Sequence, residues 1–190
     1  MRKVFIGWVL PLLIAVVVVF VLWFMFRDRV YVVGGDNMSP TLTRGQRVWM
    51  DSDHKSLSRG DIVLVSTPNL SVSAASRRVF MKCECLPGMK VSRLRADHVY
   101  GHAILPEPGF KIPLNYANYV IYKDLAKTYE DADMQWCDSV CVVNGKVSDS
   151  YTFKRGYVFL INDNRADRYD SRTFGPVPQE WIVGKIKFVF

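Results

Sequence analysis

The sequence predicts a mainly β protein, with an N-terminal transmembrane helix followed by one antiparallel β-sheet domain. Three observations carry this expectation. The chain opens with one long apolar run, the remainder breaks into short β-branched stretches separated by turn residues, and only one later segment has a helical pattern.

The apolar run extends from Val4 to Phe26, 23 residues without a charge. At about 1.5 Å per residue it reaches roughly 34 Å, enough to cross a hydrocarbon core of about 30 Å. Pro11 sits near one end, where a span tolerates it. The run is too long for the core of a cleaved signal, and it ends in Arg27-Asp28-Arg29 without a small-x-small cleavage site. It therefore reads as a permanent anchor lying in the bilayer. Arg2 and Lys3 precede it and Arg27 and Arg29 follow it, so flanking charge gives nearly a tie for orientation. Residues 1–29 form the anchor and its cytoplasmic start, and 30–190 form the β domain.

Strands are expected in "VYVVGG", "QRVWMD", "GDIVLVSTP", "RRVFMKCEC", "GYVFLI" and "WIVGKIKFVF". "SVCVVNGKVSDSY" reads as a hairpin about Asn144-Gly145. The helical segment is "YKDLAKTYEDAD", near residues 122–133. From about 92 to 135 the chain otherwise reads as an irregular insertion, since Ser92 to Tyr119 carries three prolines and no clear period.

The formal charge is +7, but beyond residue 29 it falls to 21 basic against 17 acidic residues, dispersed along the chain. No basic stripe suggests nucleic acid. Cys83, Cys85, Cys137 and Cys141 form an even set outside the anchor, which suits an oxidising compartment and one or two disulfides of undetermined pairing. A four-cysteine zinc site is the weaker alternative, because C-x-C with C-x-x-x-C is a poor zinc spacing. His98 and His102 have i,i+4 spacing in a stretch that does not read as helical, and His54 lies in a polar loop. No metal or cofactor is expected.

Four stretches, in order, carry a resemblance. "GDNMSPTL" is similar to a Ser-Met-x-Pro-Thr-Leu segment, and "RGDIVLVSTP" to a Gly-Asp-Ile-Val segment. "RRVFMKCECLPGMKV" resembles Lys-Arg-x-x-Gly-Leu-Pro-Gly-Asp. "INDNRADRYDSRTFGPVP" resembles Gly-Asp-Asn-Arg-x-x-Ser-x-Asp-Ser-Arg-x-x-Gly-x-Val-Pro, agreeing at Asp163, Asn164, Arg165, Asp170, Ser171 and Arg172. These are the motifs of type I signal peptidases, and the resemblance covers essentially the whole chain. Self-cleaving repressor-type proteases share the first loop and a related β core, but lack the anchor and the last segment.

The resemblance implies a membrane protein of the cytoplasmic membrane, its N-terminus inside and its β domain outside. It implies a serine that attacks the scissile bond of secreted preproteins, with a neutral lysine as base. The substrate's signal peptide is expected to lie extended between Gly35, Asp36 and Met38 on one side and Val79 and Phe80 on the other.

Residue by residue, the chemistry departs from that pattern. The nucleophile position holds Asn37, whose carboxamide has no hydroxyl to deprotonate. Alignment on Leu86-Pro87-Gly88 without a gap puts Met81 at the base lysine and Lys82 at the following arginine. Arg168 replaces the serine that supports the lysine, and Asn162 the first glycine. The chain is therefore expected to be an impaired or inactive relative that binds peptide segments. Two alternatives remain. Shifted residues, Ser39 as nucleophile and Lys82 as base, would keep it active; otherwise it is a structural partner of an active signal peptidase or the secretion machinery. The shift to Lys82 needs one residue deleted before Leu86, and a one-residue slip reverses side-chain direction unless a bulge absorbs it. Ser39 must move its hydroxyl by about 7 Å, when catalysis is sensitive to errors near 1 Å.

Overall fold

The computed structural model describes residues 2–27, 30–51, 56–67, 77–91 and 103–190. His54, His98 and His102 lie outside the described residues.

The apolar run forms helix α1, Arg2–Arg27, with Pro11 inside it. The described side chains, from Pro11 to Trp23, are exposed all round. Among the described residues, however, no helix is long and apolar enough to cross a membrane. The structure thus bears out the helix and not the crossing.

Short strands follow: β1 Val30–Val32, β2 Arg47–Asp51, β3 Ile62–Thr67 and β4 Arg77–Cys85. Next come β5 Lys111–Pro113, helix α2 Tyr116–Glu130, β6 Met134–Cys137, β7 Val140–Val143, β8 Lys146–Val147 and β9 Ser150–Thr152. The chain closes with β10 Tyr157–Ile161, the short α3 Ser171–Phe174, β11 Val177–Pro178 and β12 Ile182–Val189. The main sheet has the order β1-β2-β12-β3-β4-β10-β11, and its paired strands run antiparallel throughout. Successive side chains of a strand point to opposite faces, and this sheet buries both. Leu64 and Phe80 pack with Val33, Met38, Leu42, Val48 and Met50 on one face. Their chain neighbours Val63, Val65 and Met81 pack with Val158, Leu160, Val177 and Ile182 on the other.

The stretch expected to be an irregular insertion is instead largely regular where it is described. Strand β5 pairs with β9, β6 pairs with β7, and α2 lies against them over Tyr122, Leu125, Ala126 and Tyr129. Ile112, Phe153 and Tyr157 complete that second core. The helix begins six residues before the expected start because the Asn115 side chain caps it, accepting from the Asn118 amide at 2.9 Å. It ends at Glu130, where Asp131 turns left-handed at φ 53°. Weak helix formers at Tyr116, Asn118, Tyr119 and Val120 mask its first turns. The expected hairpin is β7–β8, with Asn144 and Gly145 both at positive φ, as a two-residue turn demands.

The expected disulfides are absent: none of the four cysteines is joined to another. Cys83 packs among the Val63 face and Cys85 with Phe159 and Ile161. In the β6–β7 register Cys141 faces Trp136, so the adjacent Cys137 projects from the opposite side of the hairpin. Neither nearby pair is aimed sulfur to sulfur.

Candidate functional site

The loop from Val33 to Gln46 is tied at its neck, the Val33 amide donating to the Gln46 carbonyl at 2.9 Å and the Gly45 amide to the Val33 carbonyl at 2.8 Å. Met38 and Leu42 drop into the core beside Leu64 and Phe80, so the motif's apolar positions are anchors. They fix Asn37 over β4.

The Asn37 carboxamide donates one hydrogen to the Phe80 carbonyl at 2.5 Å and one to Asn162 Oδ1 at 3.0 Å. The Asn37 backbone carbonyl accepts from the Asn164 amide at 3.0 Å, and Asn164 Nδ2 donates to the Asp36 carbonyl at 3.2 Å. Asn162 is fully buried, and its Nδ2 donates to the carbonyls of Asp167 and Tyr169. Asp163 accepts from Thr41 Oγ1 at 2.7 Å and from Lys82 Nζ at 3.2 Å. Two loops more than a hundred residues apart are thus laced together around position 37.

Strand register decides between Met81 and Lys82. Met81 is opposite Val63 and fully buried on the face away from Asn37. Lys82, two residues on from Phe80, shares the Asn37 face and meets Asp163. Just beyond it, Leu160 pairs with Cys83 but Phe159 with Cys85, so β4 carries one extra residue, Glu84, as a bulge. That bulge is the device the shifted reading of Lys82 requires. Lys82 is about 36% exposed in its ion pair, however, not enclosed in the apolar pocket that the family chemistry asks of its lysine.

Ser39 is half-buried, and its amide closes a turn onto the Asp36 carbonyl at 3.1 Å. Among the described residues its hydroxyl has no hydrogen-bond partner, Lys82 included. Val79 packs against the Met81 face, while Gly35 lies so close to the carboxamide that a Cβ there would sit 3.2 Å from Asn37 Oδ1.

The remaining motif residues are scaffold. Asp170 caps α3 by accepting from the Arg172 amide at 2.9 Å, takes both of its oxygens to the Arg172 guanidinium, and receives the Asn162 amide at 2.8 Å. Ser171 Oγ accepts from the buried Leu160 amide at 3.0 Å. Arg172 also reaches the carbonyls of Arg165 and Asp167. Arg168 is exposed and enters this network through its carbonyl, which accepts from the Asp170 amide at 2.8 Å. Sequence reasoning missed the Thr41–Asp163 link and the contact between Asn37 and Asn162. The signal for the second was two departures from one family pattern. Among the described residues no cluster could hold a metal ion.

The family model described as "Signal peptidase, peptidase S26" matches residues 5–190. Signal peptidase IB of Staphylococcus aureus, in strains Mu50, N315 and MW2, is 28% identical over 193 residues, covering 100% of this chain and 91% of each relative.

Proposed function

From the premise that the chain belongs to the signal peptidase family, peptidase S26, we propose that it is a non-cleaving member of that family. It retains the peptide-handling scaffold without the nucleophile. One observation carries the reading: the nucleophile position holds a carboxamide whose two hydrogens are spent on Phe80 and Asn162. A carboxamide is not a serviceable acyl-transfer nucleophile. Its place is the cytoplasmic membrane, with α1 as the single anchor, the N-terminus inside and the β domain outside. The uncharged run of 23 residues supports a span, and the orientation rests on the family resemblance. Its partners are the signal peptides of preproteins or an active signal peptidase.

The test is cleavage of a preprotein by the full-length protein in detergent. The wild type is expected to leave the substrate intact. Robust wild-type cleavage would overturn the reading.

The bulge after Lys82 favours one half of a second reading, an active peptidase based on Ser39 and Lys82. That reading requires wild-type cleavage to disappear in both Ser39→Ala and Lys82→Ala.

A further inference from the structure

We infer that the Asn37 carboxamide is a built-in plug, occupying the strand-edge acceptor that an extended peptide backbone would otherwise use. The inference deepens the non-cleaving reading and rests on it for the identity of the ligand.

Strand parity locates the acceptor. The Cys83 amide donates to the Asp61 carbonyl at 2.8 Å, and the Cys83 carbonyl accepts from the Gly60 amide at 2.7 Å. Both Cys83 groups therefore point toward β3. The two-residue period turns those of Met81 and Val79 the same way, and those of Lys82, Phe80 and Arg78 the opposite way. On that opposite side β10 supplies partners only as far as Ile161, which pairs with Lys82. The Phe80 carbonyl lies past the end of β10, on an edge of the sheet. An extended chain laid along this edge would direct a backbone N–H at that oxygen.

Asn37 Nδ2 is already there, at 2.5 Å. Side chain and backbone are both held. The second Nδ2 hydrogen goes to Asn162 Oδ1, the Asn164 amide donates to the Asn37 backbone carbonyl, and Gly35, lacking a Cβ, leaves room for Oδ1. Asn162 is itself buried and clamped by two carbonyls, so the acceptor that orients the plug is rigid. A serine has one hydroxyl hydrogen and a shorter reach, and cannot bridge both oxygens. The two departures at positions 37 and 162 thus act as one unit: the first closes the edge and the second holds it closed. Peptide binding must displace the carboxamide, so affinity for extended peptide is held down by the chain's own side chain.

The experiment measures binding by full-length protein in detergent micelles. The probe is a fluorescein-labelled synthetic peptide spanning a signal-peptide cleavage region, with alanine at its two small positions, read by anisotropy. Asn37→Ala and Asn37→Ser are expected to bind at least tenfold more tightly than the wild type. Lys146→Ala, in the separate β6–β8 sheet, is expected to match the wild type. Affinities of wild type and both Asn37 variants within twofold would overturn the plug, as would no binding by any of them. Should Asn37→Ala fail to fold, Asn37→Ser carries the same comparison. The peptide is recovered and examined for cutting. Cutting by the wild type would sink the non-cleaving reading, while the affinity ratio alone decides the plug.

Discussion

Asn37 and Asn162, 125 residues apart in the chain, share a carboxamide hydrogen bond of 3.0 Å at the edge of the main sheet. Each is polar and at least half enclosed, so each depends on the other to avoid an unmet hydrogen-bonding group. Replacing Asn162 by alanine removes an acceptor from Asn37 and two donors from the Asp167 and Tyr169 carbonyls. The expected cost is about 1–3 kcal/mol of stability. A double-mutant cycle with Asn37→Ala, read by denaturant unfolding, is expected to give a coupling of about 0.5–1.5 kcal/mol. Strict additivity would show that the contact has no energetic weight.

Met81 and Lys82 give opposite responses to charge changes because they face opposite sides of β4. Rebuilding the family lysine as Met81→Lys places an ammonium in the apolar cluster of Val63, Val65, Val158 and Leu160. A buried charge in such a setting costs on the order of 3–5 kcal/mol. The expected result is loss of the cooperative thermal transition or a much lower midpoint, with no gain in cleavage. Lys82→Met removes only a part-exposed pair with Asp163, and its expected cost is within about 1 kcal/mol.

Most strands were legible because β-branched residues and turn glycines mark them locally. The register at Lys82 was not, because it depends on a bulge seen only when β10 is laid beside β4. Aligning on Leu86-Pro87-Gly88 counts residues, whereas the fold counts faces, and Glu84 separates the two. The second core was equally hidden. Ile112, the α2 face of Tyr122 and Tyr129, and Phe153 come from three separate segments, and no local pattern announces that they meet. The loop motif itself was legible in Met38 and Leu42 because burial restricts those positions to apolar side chains. What Asn37 does there depends on a contact across the whole sequence.

Glu130 anchors that second core. Its carboxylate accepts from the hydroxyls of Tyr151 and Tyr157 at 2.6 and 3.1 Å, and from the amides of Lys154 and Arg155 at 3.0 and 3.1 Å. Four donors converge on two oxygens, so Glu130→Gln turns an NH2 group against at least one of them. The expected loss is about 1.5–3 kcal/mol. Burial, followed by the Glu130 charge and hydrogen bond, raises the pKa of both tyrosines above the ordinary value of 10.0. A folded-state pKa above the unfolded one gives stability that is fully present below pH 10 and lost as pH rises past it. Thermal midpoints measured from pH 8 to 11 are expected to fall above pH 10, with a shallower fall in Tyr151→Phe.

The four cysteines divide sharply by access. Cys83 is fully buried, and burial with the nearby Asp61, Cys85 and Glu84 pushes its thiol up to about 12. Burial and then Cys137 raise Cys141 as well, whereas Cys137 itself is exposed. Thiolate is the reactive form. At pH 8 an aromatic disulfide reagent is expected to label Cys137 alone in the native protein, and all four cysteines after denaturation. Rapid native labelling of Cys83 would contradict the packing of β4.

Gly184 tests how tightly β12 is seated between β2 and β3. The β12–β3 register shifts between Ile182 and Gly184, bringing β12 against the end of β2. A Cβ at Gly184 would lie 2.5 Å from the Asp51 carbonyl oxygen, a backbone atom that cannot swing aside. Gly184→Ala must therefore separate two central strands, at an expected cost of about 1–3 kcal/mol. Gly34→Ala provides the contrast, because nothing lies within 4 Å of a Cβ there. Thermal unfolding of the two variants is expected to show a drop of several degrees for Gly184→Ala and little change for Gly34→Ala. Equal midpoints would mean that β12 moves freely at this point, and the close approach would then play no part in holding the sheet together.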